Sequence, residues 1–310
     1  MQVHADLDEL PEFRNAVITI GTFDGVHMGH RQVIDSLKAE AARIGGETVL
    51  ITFHPHPRKI VSSAILGIRL INTLEERIEL LEKLGIDHLV IVPFTEHFAN
   101  QSATEYIDNF LIDKFHPHTI IIGFDHRFGR DRQGDYRLLE QCAPTYNYQL
   151  KEIPKHILEH ISISSTNIRQ ALVDTEVEKA SMLLGYDFYF TGVVVHGDKL
   201  GRELGYPTAN LHIPDEEKII PGNGIYAVYA QPEGEEQVCK GMMSIGFRPT
   251  VEGKTRVVEV NIFDFDKDIY GKKLKVFVRK YLREEWKFDT LEALVKQIDQ
   301  DKIDSLAVLG

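Results

Sequence analysis

Short apolar runs rich in β-branched residues, each handing over to a helical pattern, restrict the fold of this chain more than any other feature. Residues 17–20, 48–53, 89–92 and 119–122 read as strands, and 148–153 closes the series. None of the first four alternates strictly between apolar and polar residues, so each expects cover on both faces. Helical periodicities lie between them. Val33, Ile34, Leu37, Ala41 and Ile44 follow the first run, 74–84 comes next, and 103–115 carries Ile107, Phe110 and Leu111 on one face. Such repetition predicts an α/β fold with a parallel sheet.

The first strand runs into Gly21-Thr22-Phe23-Asp24-Gly25-Val26-His27-Met28-Gly29-His30. In an open α/β sheet, a junction of strand end, loop and helix start is the usual ligand crevice. The helix start offers unpaired N–H groups and a positive dipole end, both suited to phosphate. Glycines let the backbone turn tightly and approach a ligand. A tight turn with two surface histidines would explain the glycines, but it leaves the His-x-Gly-His spacing to chance.

Further candidates sit at later strand ends. His54-Pro55-His56-Pro57-Arg58 reads as a stiff loop in which the prolines preclude helix; no third ligand at metal spacing follows. Residues 123–135 are rich in Gly, Arg and aromatics, groups that clamp phosphates and stack on flat rings. A solvated charged turn is the plainer account, and it leaves Phe124 and Phe128 unexplained. Ser164, Ser165 and Thr166 open a helical stretch that includes Arg169. They are either simple caps or a second phosphate grip.

Beyond Gly185 the texture changes to short β-rich runs at 188–196, 224–229, 238–245, 256–263 and 274–281, which suggests a barrel or a sandwich. An apolar stripe of Leu291, Leu294, Val295 and Ile298 predicts a packed terminal helix. The expected division is therefore 1–184 and 185–310. Between the first two β runs lies Gly197-Asp198-Lys199-Leu200-Gly201-Arg202-Glu203-Leu204-Gly205-Tyr206-Pro207-Thr208-Ala209-Asn210, where Thr208 and Asn210 offer oxygens of the kind Mg²⁺ accepts. From the residues alone this could equally be a plain Gly/Pro loop.

With 310 residues, 43% of them hydrophobic, the chain can bury two cores. A net charge of −12 argues against a nucleic-acid partner. Cys142 and Cys239 match no metal or redox spacing, no apolar leader begins the chain, and no stretch is long enough for a membrane span. Asp264, Asp266 and Asp268 hint at a calcium loop, but Ile269 and Lys275 stand where Gly and Glu are needed. A cytoplasmic protein, monomeric or weakly self-associating, is expected.

The 21–30 stretch resembles the GxFDxxHxGH signature of nucleotidyltransferases, and 163–169 resembles the ISSTxxR element that accompanies it. Residues 197–210 resemble the GxxxGRxLGxPTAN motif of riboflavin kinases, followed in order by 221–227, Val258-Glu259-Val260-Asn261-Ile262, 268–271 and 282–288. Taken together, the chain resembles the prokaryotic bifunctional riboflavin kinase/FAD synthetase family. That resemblance implies a Rossmann-like nucleotidyltransferase domain, then a β-barrel kinase domain with a C-terminal helix. It implies phosphorylation of riboflavin to FMN by ATP and adenylylation of FMN to FAD, with Mg²⁺ as cofactor.

By the same resemblance, His27 and His30 are catalytic and bind the polyphosphate with Gly21, Phe23, Asp24, Gly29, Ser164, Ser165, Thr166 and Arg169. Glu259 is the base of the kinase. From the residues alone it is equally an outward-facing strand carboxylate. Gly197, Lys199, Gly201 and Pro207 line its nucleotide, and Thr208 and Asn210 hold the metal. His56, Pro57, Asp125 and Phe128 would contact flavin in the first domain, and Arg283 and Glu285 in the flap of the second. On their own, the last two read as a surface ion pair. Thr22, His126 and Asn261 depart from the common Asn, aromatic and His of the family. Two rivals are a transferase with another acceptor fused to an unrelated barrel, and a flavin carrier without catalysis.

Overall fold

The computed structural model describes residues 1–61, 69–123, 126–153, 164–197, 200–250 and 253–310. It divides into two compact units, Met1–Ser165 and Thr166–Gly310.

The first unit is built on a six-stranded sheet in the order β1-β4-β3-β2-β5-β6, formed by Gln2–His4, Val17–Ile20, Thr48–His54, His88–Pro93, Thr119–Gly123 and Gln149–Ile153. Every pairing is parallel. All four residues of β2 and six of the seven in β3 are buried, as runs covered on both faces must be. Helix α1, Met28–Ile44, packs on β2, β3 and β5. On the other side, Ile18, Ile20, Ile51, Val92 and Ile122 meet an aromatic group of Tyr106, Phe110, Phe115 and Phe128. The strand order reverses beside β2, whose neighbours are β3 and β5. The carboxyl end of β2 is therefore the switch point where a crevice opens.

Two local expectations are corrected. The prolines of 54–58 do not preclude helix: Pro57–Val61 is helical, with Pro57 at the first position, where a missing N–H removes no hydrogen bond and the ring's φ is already helical. Residues 103–115 are helical as expected, but Tyr106–Ile112 is π-helix, framed by Ala103–Glu105 and Asp113–Phe115. The helix Tyr136–Tyr146 and the edge strand β1 gave no clear periodic signal.

In the second unit, six antiparallel strands close into a barrel, ordered β10-β11-β8-β7-β12-β9. They are Tyr189–Val195 (β7), Ala209–His212 (β8), Gly224–Pro232 (β9), Cys239–Thr250 (β10), Gly253–Ile262 (β11) and Lys273–Arg283 (β12). Closure settles the choice between barrel and sandwich, and it leaves no open sheet edge. Along β12, Leu274, Val276 and Val278 alternate inward. The helix Leu291–Leu309 packs on β9, β10 and β12. Of its expected stripe, Leu294, Val295 and Ile298 are half-buried and Leu291 is exposed, because the deepest contacts come later in the helix, at Asp301, Ser305 and Leu309.

Candidate functional site

In the first unit, β2 ends at Ile20 and α1 begins at Met28, so the intervening loop faces the switch point. Gly25 has φ +92°, and Phe23 and Val26 also take positive φ, +48° and +38°. A β-branched residue at positive φ is strained. Burial of Val26 and a turn bond from its N–H to the Phe23 carbonyl, 3.1 Å, hold it there.

His27 caps α1: its Nδ1 accepts the His30 amide at 3.2 Å. In the neutral ring the proton must then sit on Nε2, which makes that atom a donor. The His27 and His30 rings stack with centroids 3.6 Å apart. His30 Nδ1 is buried with no hydrogen-bond partner among the described residues. Burial pushes the His30 imidazole well below its ordinary pKa, and the nearby His27 and Arg77 add to the shift. The first turn of α1 carries no acidic residue, although the dipole there favours one. The loop thus presents imidazoles and a helix terminus, and its one carboxylate, Asp24, is turned away from them into the interior.

Asp24 faces inward, fully buried, and its Oδ1 accepts the amides of Ile71 and Asn72 at 2.9 and 3.1 Å. Ser165 Oγ donates to the Asp24 carbonyl at 2.9 Å, which brings the serine-rich element to the loop. Ser164 and Thr166 are exposed and Arg169 is half-buried, the last two on the helix Ser165–Val173. Gly29 is buried in the first turn of α1, and Gly21 follows β2, where an added Cβ would lie 3.1 Å from the Phe23 ring.

Nearby, His56 is buried, with Nδ1 accepting the Arg58 amide at 3.2 Å, and Pro57 is half-buried beside it. Phe128 is buried too. Tyr106 stacks on it at 4.9 Å, and an added Cβ on Gly134 would come within 2.3 Å of its ring. Asp125, with Phe124, lies outside the described residues.

The second unit gathers its candidates where β8 meets β11. Asn210 stands opposite Glu259 in register, and Thr208 Oγ1 donates to Glu259 Oε1 at 3.4 Å. Arg248 forms an ion pair with the other Glu259 oxygen. A pocket beside them is lined by Gly197, Arg202, Pro207, Thr208, Asn210 and Tyr270. Gly197 is required by close approach, since a Cβ there would fall 2.2 Å from Asn210 Nδ2. At Gly201 it would fall 2.4 Å from the Tyr206 carbonyl. Asn261, at the departure from the family's His, donates to the Pro207 carbonyl at 2.6 Å and so fixes the loop before Thr208. Lys199 lies outside the described residues.

Arg283 and Glu285 are not paired with each other. Arg283 makes two hydrogen bonds to Asp301, 2.7 and 2.6 Å, largely out of solvent, and its guanidinium lies over Trp286. The Glu285 carboxylate lies against Gly246, and partial desolvation raises its pKa. Thr208 and Asn210 are hard oxygen donors, which suits Mg²⁺ that keeps waters and phosphate oxygens as its other ligands. Among the described residues, no cluster of three His, Cys, Asp or Glu could hold a metal by itself.

Sequence reasoning missed Arg77, Thr52, Arg248 and Asp301. Arg77 carried a faint signal, a charge in register with Leu80 and Leu81 on the buried face of its helix, beside Glu76. The others become visible only when distant strands meet.

Comparison with known proteins covers both units. A family model described as FAD synthetase matches residues 10–167, and one described as riboflavin kinase matches 184–309. Three curated proteins named bifunctional riboflavin kinase/FMN adenylyltransferase are similar over nearly the whole length. The Listeria monocytogenes protein is 36% identical over 94% of this chain and 92% of its own. The Escherichia coli protein is 35% identical over 98% and 96%, and the Bacillus subtilis protein 36% over 95% and 93%. A Streptococcus pneumoniae crystal structure described as a macrolide-efflux protein superposes with TM-score 0.87 at 31% identity, covering 98% of both chains. Among the described residues of this chain, no helix is long and apolar enough to cross a membrane.

Proposed function

The chain belongs to the family of bifunctional riboflavin kinases/FMN adenylyltransferases, and on that premise we propose which of its residues carry each reaction. Riboflavin is phosphorylated to FMN by ATP, and FMN is adenylylated by ATP to FAD with loss of pyrophosphate. We assign the first reaction to residues 185–310 and the second to 1–184.

In the kinase reaction, Glu259 accepts the proton of the ribityl hydroxyl as that oxygen attacks the γ-phosphorus and ADP leaves. The observation that supports this most directly is the meeting of Thr208 and Asn210 with Glu259 where β8 pairs with β11, beside a pocket in which a side chain at position 197 would displace the Asn210 amide. Thr208 and Asn210 would hold Mg²⁺, which neutralises phosphate charge when bound. Gly197, Lys199, Gly201 and Pro207 would line the nucleotide, and Arg283 and Glu285 would border the flavin.

In the adenylyl transfer, an oxygen of the FMN phosphate attacks the α-phosphorus, and a new P–O bond replaces the one to pyrophosphate. His27, through its Nε2 proton, and His30 would contact the phosphates, with Gly21, Gly29, Ser164, Ser165, Thr166 and Arg169 around them. Phe23 and Asp24 shape the loop. Charge builds on the leaving group, so fixed donors stabilise the transition state. His56, Pro57, Asp125 and Phe128 would form the flavin side. The need for ATP at both steps supports a cytoplasmic enzyme, which we propose is monomeric or weakly self-associating.

The test separates the sites. Glu259→Gln should abolish FMN formation from riboflavin and spare FAD formation from supplied FMN, and His30→Ala should do the reverse, as read by chromatography of the products. Loss of both activities in either folded variant would refute independent sites.

A further inference from the structure

Helix Leu74–Lys83 brings one guanidinium into the interior of the first unit: Arg77 is only 1% exposed. Nη1 donates to Thr52 Oγ1 at 3.1 Å and reaches the Phe53 carbonyl at 3.4 Å. Thr52 Oγ1 in turn donates to the carbonyl of Thr22, in the loop that leads to His27 and His30, at 3.1 Å. The same loop grips the start of this helix from the other direction, because the Asp24 carboxylate holds the amides of Ile71 and Asn72 just before the cap at Thr73. Loop, helix and β3 are thereby joined in a closed ring of contacts. Arg77 Nε is buried without a hydrogen-bond partner among the described residues. Taking a cation out of water is unfavourable, and an apolar side chain would pack there at lower cost. The expense calls for a use outside stability.

We propose that Arg77 is a positioning residue for adenylyl transfer, holding the loop that carries His27 and His30 through Thr52 and Thr22. This rests on reading the His27–His30 loop as the polyphosphate site. The geometry suits such a role: hydrogen bonds run without a break from the guanidinium through Thr52 to the Thr22 carbonyl, so the loop cannot shift without losing one of them. The groups that face His30 are His27 from its own loop and Arg77 from the helix, with Asp24 balancing Arg77. Both neighbours of His30 favour its neutral form in the empty site.

The experiment compares wild type, Arg77→Met, Arg77→Lys and His30→Ala. It measures FAD formation from FMN against ATP concentration and pH, with FMN formation from riboflavin as the internal control. Arg77→Met should raise the KM for ATP by about tenfold, the factor that 1.4 kcal/mol of binding represents, and leave the kinase unchanged. It should also move the acidic limb of the kcat/KM profile to higher pH, because the cation that favours neutral His30 is gone. Arg77→Lys should recover most of the affinity. Normal ATP affinity in Arg77→Met overturns the proposal. So does a loss without a shifted limb that Lys fails to rescue, since Arg77 would then serve folding alone. If His30→Ala itself leaves FAD formation intact, the reading of the loop fails instead.

Discussion

Replacing Gly197 by Ala tests the metal-holding role of Asn210 without touching a single proposed ligand. The new Cβ would lie 2.2 Å from Asn210 Nδ2, 2.5 Å from Cγ and 2.8 Å from Oδ1, where ordinary contact begins at 3.4 Å. The amide must therefore retreat by about 1 Å, a displacement that can cost about 10²-fold when it misplaces a reacting group. Backbone strain adds nothing, because Gly197 is not among the glycines with positive φ. Stability should change little, since the side chain that must yield is a short amide at a half-exposed site. The assay is FMN formation from riboflavin as a function of Mg²⁺, alongside FAD formation from supplied FMN. The expected result is a kinase weakened by about 10²-fold, partly restored by raised Mg²⁺, with adenylyl transfer intact. A kinase at wild-type rate and wild-type Mg²⁺ dependence would refute the placement of the metal at Asn210.

Two further predictions concern stability. Asp301→Ala strips Arg283 of its bidentate partner where both side chains are largely buried, and should destabilise the barrel by about 3 kcal/mol; denaturant unfolding followed through Trp286, the one tryptophan of the chain, reads it, and a cost under about 1 kcal/mol would show the pair to be solvated. Folding depresses the His30 pKa, so the unfolded chain binds that proton first as pH falls below about 6.5. Stability is then full above that value and is lost toward the lower folded value. Thermal midpoints of the first unit should drop between about pH 7.5 and 5.5, less so in His30→Asn; an identical drop in that variant would place the proton elsewhere.

Much was legible in the sequence because it is local. The runs at 17–20 and 119–122 could be read as covered strands since side-chain period alone decides which faces are wet. That His27 and His30 lie where a strand ends and a helix begins was legible from the order of the two patterns; that His27 itself caps the helix was not. Element ends were less legible: β10 and β11 run several residues past the apolar cores that announced them, because the ladder extends wherever backbone groups find partners. Pro57 misled for a related reason, since a proline breaks a helix interior but suits its first residue.

The sequence by itself determined the fold class, the two-part organisation and the chemical character of the loops, for each is written in short-range periodicity and residue type. Tertiary structure alone decided the partners. Arg283 finds Asp301 eighteen residues away, Asn261 finds the Pro207 carbonyl, Arg77 finds Thr52, and barrel closure sets Asn210 across from Glu259. Such pairings depend on register between strands and on where a helix lands on a sheet. Those are set by the packing of the whole core, and no local stretch of sequence encodes them.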